Sequence, residues 1–139
     1  MIKIILDTNV LVSALIKPNT PPALILEKHV PQCEWCLSAV ILEEYRMVLM
    51  RPKFRTFPDF YNRAITVLAL VEQIGVFYLP EQHIDRISDE ADNRFLELAV
   101  KAQADYLITG NLRDFDFSIY EQTQIVSPVQ FINLFPDSP

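Results

Sequence analysis

The sequence predicts one α/β domain of three layers, with helices on both faces of a parallel sheet. Three observations carry this reading. Short apolar, β-rich runs alternate with helical patterns along the chain, which calls for strands joined by helical crossovers. The first run, Met1–Leu6, is apolar without a polar alternate, as a strand buried on both faces would be. The 139 residues are 50% apolar and 22% charged, enough for one sizeable core. No repeat, low-complexity tract or linker divides residues 1–139, so the whole chain is expected to be a single domain.

The elements follow in order. Met1–Leu6 is a strand ending at Asp7, and helical patterns cover Val10–Ile16 and, after Pro21-Pro22, Ala23–His29. Glu34–Leu37 reads as a second strand, with Ser38 capping a helix over Ala39–Met50 that Pro52 stops. A basic and aromatic link, Arg51–Phe57, leads to a long helix over Asp59–Ile74. Val76–Leu79 is a third strand. Ser88 or Asp89 caps a helix over Glu90–Ala104, Tyr106–Thr109 is a fourth strand, Ile125–Ser127 a fifth, and Pro128–Leu134 a closing helix.

Several function classes are excluded by composition. The two glycines, Gly75 and Gly110, stand alone, so neither a Walker-type loop nor a Gly-rich dinucleotide turn can be written. Twelve Lys+Arg against 18 Asp+Glu give a net charge of −6, which argues against a generally basic nucleic-acid-binding surface. It leaves room for carboxylates neutralised by a bound metal. No basic-then-apolar leader is visible, and charge breaks every apolar run before the ~20 residues of a membrane span. A cytoplasmic protein without a membrane partner is expected. Cys33 and Cys36 form a single pair, where a structural zinc needs four ligands, so they read as small residues around the start of a strand. His29 and His83 lack the pairing of a nucleophile–base dyad.

Carboxylates occupy positions meant for the core. On a wheel of about 100° per residue, Ile41, Tyr45 and Val48 centre the apolar face of the third helix, and Glu44 falls only about 60° away; Glu43 points outward. In the Glu90–Ala104 helix, Ala91, Phe95, Leu98, Ala99 and Ala102 form the buried stripe, and Asp92 lies between the azimuths of Ala99 and Leu96. Asn93, Arg94, Glu97 and Lys101 form its polar face. Burying a lone carboxylate costs several kcal/mol, and no Lys or Arg on either helix shares those faces. Asp7 ends the first strand, where ligands of open α/β sheets bind. Asn111 and Asp114 follow the fourth strand to the same edge, although Leu112–Phe117 reads as a surface loop, which favours Asp114 turned outward. Hard divalent cations such as Mg²⁺ or Mn²⁺ prefer oxygen ligands and would supply the missing positive charge.

At these residues the sequence resembles the PIN-domain family. Ile4–Ser13, Ser38–Tyr45 with Val48–Phe54, Asp89–Ala99 and Ala104–Asn111 are similar to its four motifs, in order and across nearly the whole chain. The resemblance implies a Rossmann-like sheet of about five strands in the order 3-2-1-4-5. It also implies a metal-dependent ribonuclease, often the toxin of a toxin–antitoxin pair, which brings single-stranded RNA and an antitoxin as partners. Asp7, Glu44 and Asp92 match the family's catalytic, metal-binding acids, and Thr8 or Asn9 matches positions beside the first. The fourth acidic position falls on Asn111, whose amide oxygen can still ligate a hard cation without adding charge, so Asn111 and Asp114 are the further metal-ligand candidates.

A cation held by Asp7, Glu44 and Asp92 would lower the pKa of a bound water and polarise a phosphoryl oxygen. Asn9, Lys17, Arg51, Lys53 and Arg113 are candidates for holding substrate, with Arg55 nearby and Phe54 or Phe115 available to stack a base. Two other functions stay open: a phosphatase using Asp7 as nucleophile, and a non-catalytic module that binds RNA or protein. The Asp59–Ile74 helix is apolar around most of its circumference, which predicts a homodimer or a tight partner complex.

Overall fold

The computed structural model describes residues 1–136. Its elements are β1 (Lys3–Leu6), α1 (Thr8–Ile16), α2 (Pro21–Leu24), β2 (Glu34–Leu37), α3 (Ala39–Leu49), α4 (Phe60–Ile74), β3 (Val76–Phe77), α5 (Glu90–Ala102), β4 (Tyr106–Ile108), β5 (Ile119–Tyr120), β6 (Thr123–Val126) and α6 (Pro128–Leu134). The sheet runs β3-β2-β1-β4-β6-β5, parallel throughout except for the β5–β6 pair. The expected order 3-2-1-4-5 is therefore present, with β6 as the fifth strand and a short antiparallel strand added at the edge.

That added strand escapes periodicity because it has two residues. Its turn at Glu121 adopts a φ of 53° without the Gly, Asn or Asp that would advertise it. Two other boundaries shift for local reasons. The helix expected through Ala104 stops at Ala102 because Gln103 turns left-handed at φ 55°. The helix expected over Ala23–His29 is α2 followed by a wider helical turn, Ile25–His29, in which backbone bonds reach one residue further.

β1 supplies Ile4, Ile5 and Leu6, all fully buried, to the middle of the sheet. α4 lays Phe60, Ala64, Val67, Leu68 and Val71 into the core but leaves Tyr61, Ile65 and Ile74 at least 40% exposed, so one face is covered and a second is not. Gly75 lets α4 turn tightly into β3: a Cβ there would collide with the Leu37 side chain and sit 2.6 Å from the Val71 carbonyl. Asn93, expected on a polar face, is completely buried. Its Oδ1 accepts from the backbone of Arg86 and Ile87 and its Nδ2 donates to the Ile87 carbonyl, while Glu97 accepts from the Ile84 N–H. The segment before α5 thus straps over the helix and turns its polar side inward. Among the described residues, no helix is long and apolar enough to cross a membrane.

Candidate metal centre

Asp7 occupies the N-cap of α1, a position its side chain is suited to cap, yet it makes no capping hydrogen bond. Its Oδ2 accepts instead from Thr109 Oγ1 at 2.6 Å and from Asn9 Nδ2 at 3.3 Å. Asn9 Oδ1 in turn accepts from the Gly110 N–H at 3.1 Å. This chain of bonds ties the ends of β1 and β4 together and aims the first acid over the carboxyl edge of the sheet. It also engages both ends of the Asn9 amide.

Glu44 is half-buried on α3 and accepts from Thr8 Oγ1. The next residue, Tyr45, donates its hydroxyl to the Leu6 carbonyl and anchors α3 beneath the edge. Glu43 faces solvent beside Arg46. Glu44 also lines a groove of about 640 Å³ between α3 and α5, shared with Val40, Met47, Arg51, Ala91 and Arg94.

Asp92 lies in the first turn of α5, 7% exposed, and its Oδ2 is buried without a hydrogen-bond partner. Asp89 and Asp114 stand with it: one carboxylate oxygen from each of the three lies within 4.8 Å of the others. Asp114, expected to turn outward, is therefore directed inward. The short helical turn Leu112–Asp114 carries it there, and Asn111 Nδ2 donates to its Oδ2 at 2.7 Å. Asp89, which the sequence marks only as a helix cap, joins this candidate cluster. It does cap, accepting from the Ala91 N–H, and the Asp-x-x-Asp spacing at a helix start is the signal that could have marked its second part.

The electrostatics show what these groups lack. Burial, partly offset by the Thr109 bond and reinforced by Glu44, raises the Asp7 carboxyl to about 6. Burial, then the charges of Asp7, Asp89 and Asp114, raises Asp92 to about 8. Each shift means that the anionic form is disfavoured there, a cost that a nearby positive charge would lift. An orphaned buried carboxylate oxygen, an all-oxygen donor set and no basic side chain among the partners all suit a hard divalent ion.

Other expectations resolve differently. Lys17, Arg51, Lys53 and Arg113 are exposed. Phe54 stacks on Phe60 at 5.0 Å and Phe115 is buried, so neither is free to stack a base. Cys33 and Cys36 are free thiols on and beside β2, and burial pushes Cys36 up to about 12, too high for a thiolate nucleophile. His29 is buried against Phe131 and bonded to the Phe135 carbonyl; His83 is exposed beside Glu97.

A family model described as PIN domain matches residues 3–113. An uncharacterized protein of Methanocaldococcus jannaschii is 33% identical over 114 residues, covering 79% of this chain and 71% of that protein. Among solved structures, VapBC-1 from nontypeable Haemophilus influenzae aligns with a TM-score of 0.57 at 17% identity, over 92% of this chain and 99% of the matched one. DNA-bound VapBC from Salmonella typhimurium aligns with a TM-score of 0.57 at 14% identity and the same coverage. At those identities the two structures are similar in fold.

Proposed function

The chain belongs to the PIN-domain family, and from that premise we propose that it is a cytoplasmic, divalent-metal-dependent endoribonuclease that cuts single-stranded RNA. The observation that carries this reading is the Asp92 carboxylate, buried with one oxygen unpartnered among three further carboxylates. Such a group is costly unless positive charge arrives.

In this reading Asp7, Glu44, Asp92 and Asp114 hold Mg²⁺ or Mn²⁺. A bound cation of this kind supplies a lowered pKa for a coordinated water and polarisation of a phosphoryl oxygen. The chain's own residues do the orienting. Thr109 and Asn9 hold Asp7 through its Oδ2, Thr8 fixes Glu44, and Asn111 steers Asp114. Asn111 stands where the family carries an acid, and here it serves as the donor that places a substitute acid three residues later. Lys17, Arg51, Lys53 and Arg113 are the cations proposed to meet the phosphate backbone.

The reading extends to partners. The two similar structures are named as VapBC complexes, and we assign this chain the toxin's place in a toxin–antitoxin pair, regulated by a small cognate protein. The exposed apolar residues Ile65 and Ile74 on α4 support a homodimer. Incubation of single-stranded RNA with the protein and Mn²⁺, with and without chelator, tests the activity. Cleavage that stops on chelation is expected. Chelator-resistant cleavage removes the metal, and binding without cleavage leaves a non-catalytic RNA-binding module.

A further inference from the structure

The turn joining α3 to α4 concentrates the positive charge of an acidic molecule. Among the described residues, ion pairs between basic side chains and carboxylates engage Arg46, Arg86, Arg94 and Lys101, with His83 beside Glu97. Arg51, Lys53 and Arg55 form none, although they fall within five residues of a chain carrying −6. All three are exposed.

Aromatic rings share the turn. Phe54 is spent on packing against Phe60, whereas Phe57 is 38% and Tyr61 44% exposed. The Arg55 guanidinium lies 5.0 Å from the centre of the Tyr61 ring, which pairs a phosphate ligand with a stacking surface. Unpaired cations beside exposed aromatic rings fit a strand that offers both phosphates and unstacked base faces. A duplex hides those faces, and an acidic peptide would neutralise the cations without using the rings.

We propose that this turn is the docking platform for single-stranded RNA, with Phe57 and Tyr61 stacking bases and Arg51, Lys53 and Arg55 contacting phosphates. The assignment rests on the nuclease reading only for where the strand leads. Arg51 and Glu44 line the same groove. Glu44 lies on α3 and Arg51 just beyond that helix's last residue, Leu49, so a strand held at the turn would enter the groove beside Glu44.

The test measures binding, by fluorescence anisotropy of a short labelled single-stranded RNA of mixed sequence, with metal-free protein in chelator over a range of salt. Phe57→Ala and Tyr61→Ala are expected each to weaken binding about tenfold. Tyr61→Phe keeps the ring and should keep the affinity. The double variant Lys53→Ala/Arg55→Ala should lower the slope of log K against log salt by about 1.4, at roughly 0.7 per lost phosphate contact, while Lys28→Ala leaves it unchanged. If Phe57→Ala does not fold by circular dichroism, Tyr61→Ala and the double variant still decide. Unchanged affinity and slope, equal affinity for duplex, or binding of an acidic peptide but not RNA would overturn the platform. RNA held through this turn but never cut with Mn²⁺ would remove the nuclease reading and keep this one. RNA cut normally by variants of unaltered affinity would do the reverse.

Discussion

The two ends of the central sheet handle buried polarity in opposite ways. At the amino end, Asp105 accepts from the Lys3 N–H, Lys3 Nζ donates to the Ala102 carbonyl, and Glu34 accepts from Tyr78 and Cys36. Cation and anion are both present, so that cluster is complete as folded. At the carboxyl edge, Asp7, Glu44, Asp89, Asp92 and Asp114 gather from four segments with hydroxyl and amide donors and, among the described residues, no basic side chain. Partnered polar groups hold a fold; anions gathered without a cation are where we propose that one binds.

The largest expected effect comes from removing an acid at the carboxyl edge. Asp92→Asn or Asp7→Asn should lower metal-dependent RNA cleavage by about 100-fold or more, read by single-turnover gel assay. Glu34→Gln at the amino end should change the rate less than about twofold. Comparable losses at both ends would erase the contrast.

Next in size is the Asn111–Asp114 pair, proposed to stand in for a fourth acid. Asp114→Asn should impair cleavage about as severely as Asp92→Asn. Asn111→Ala, which removes the donor to Asp114, should cost about 10-fold or more in metal affinity, read by calorimetric titration. A silent Asp114→Asn would return that residue to the surface loop that its sequence suggested.

Glu43 and Glu44 provide a comparison within one helix. Glu44→Gln should cut activity at least about 10-fold and Glu43→Gln hardly at all, because only Glu44 is held by Thr8 at the edge. Equal effects would mean that neither acid meets the ion.

A gentler effect is the pH dependence of metal-free stability. Asp7 and Asp92 have folded-state pKa values raised from 3.8 to about 6 and about 8. Between the unfolded and folded values the native state binds more protons, so stability falls as pH rises. Thermal melts in chelator should therefore show Tm declining from about pH 4 to about pH 8, with Asp92→Asn flattening the upper part.

How much of this was legible in the sequence depends on what each feature needs. The strand and helix series is local, and so is the wheel that set Glu44 apart from Glu43 and put Asp92 beside the core-facing residues Leu96 and Ala99. Both properties are written in spacing. Asp89, the inward turn of Asp114 and the burial of Asn93 depend on a second segment arriving: α5 beneath the Leu112–Asp114 turn, or the strap before α5 folding over it. No periodicity records such an approach. Phe54 and Phe115 looked available for stacking because composition counts rings without showing which are used in packing.

Mn²⁺-dependent thermal stabilisation reports cation binding at the carboxyl edge without relying on catalysis. Melts near pH 8, with and without Mn²⁺, should show a clear rise in Tm for the wild-type protein, since an ion that binds only the native state stabilises it by mass action. The rise should survive Glu34→Gln and vanish in Asp92→Asn. No rise in the wild type, or an equal rise in Asp92→Asn, would contradict the account.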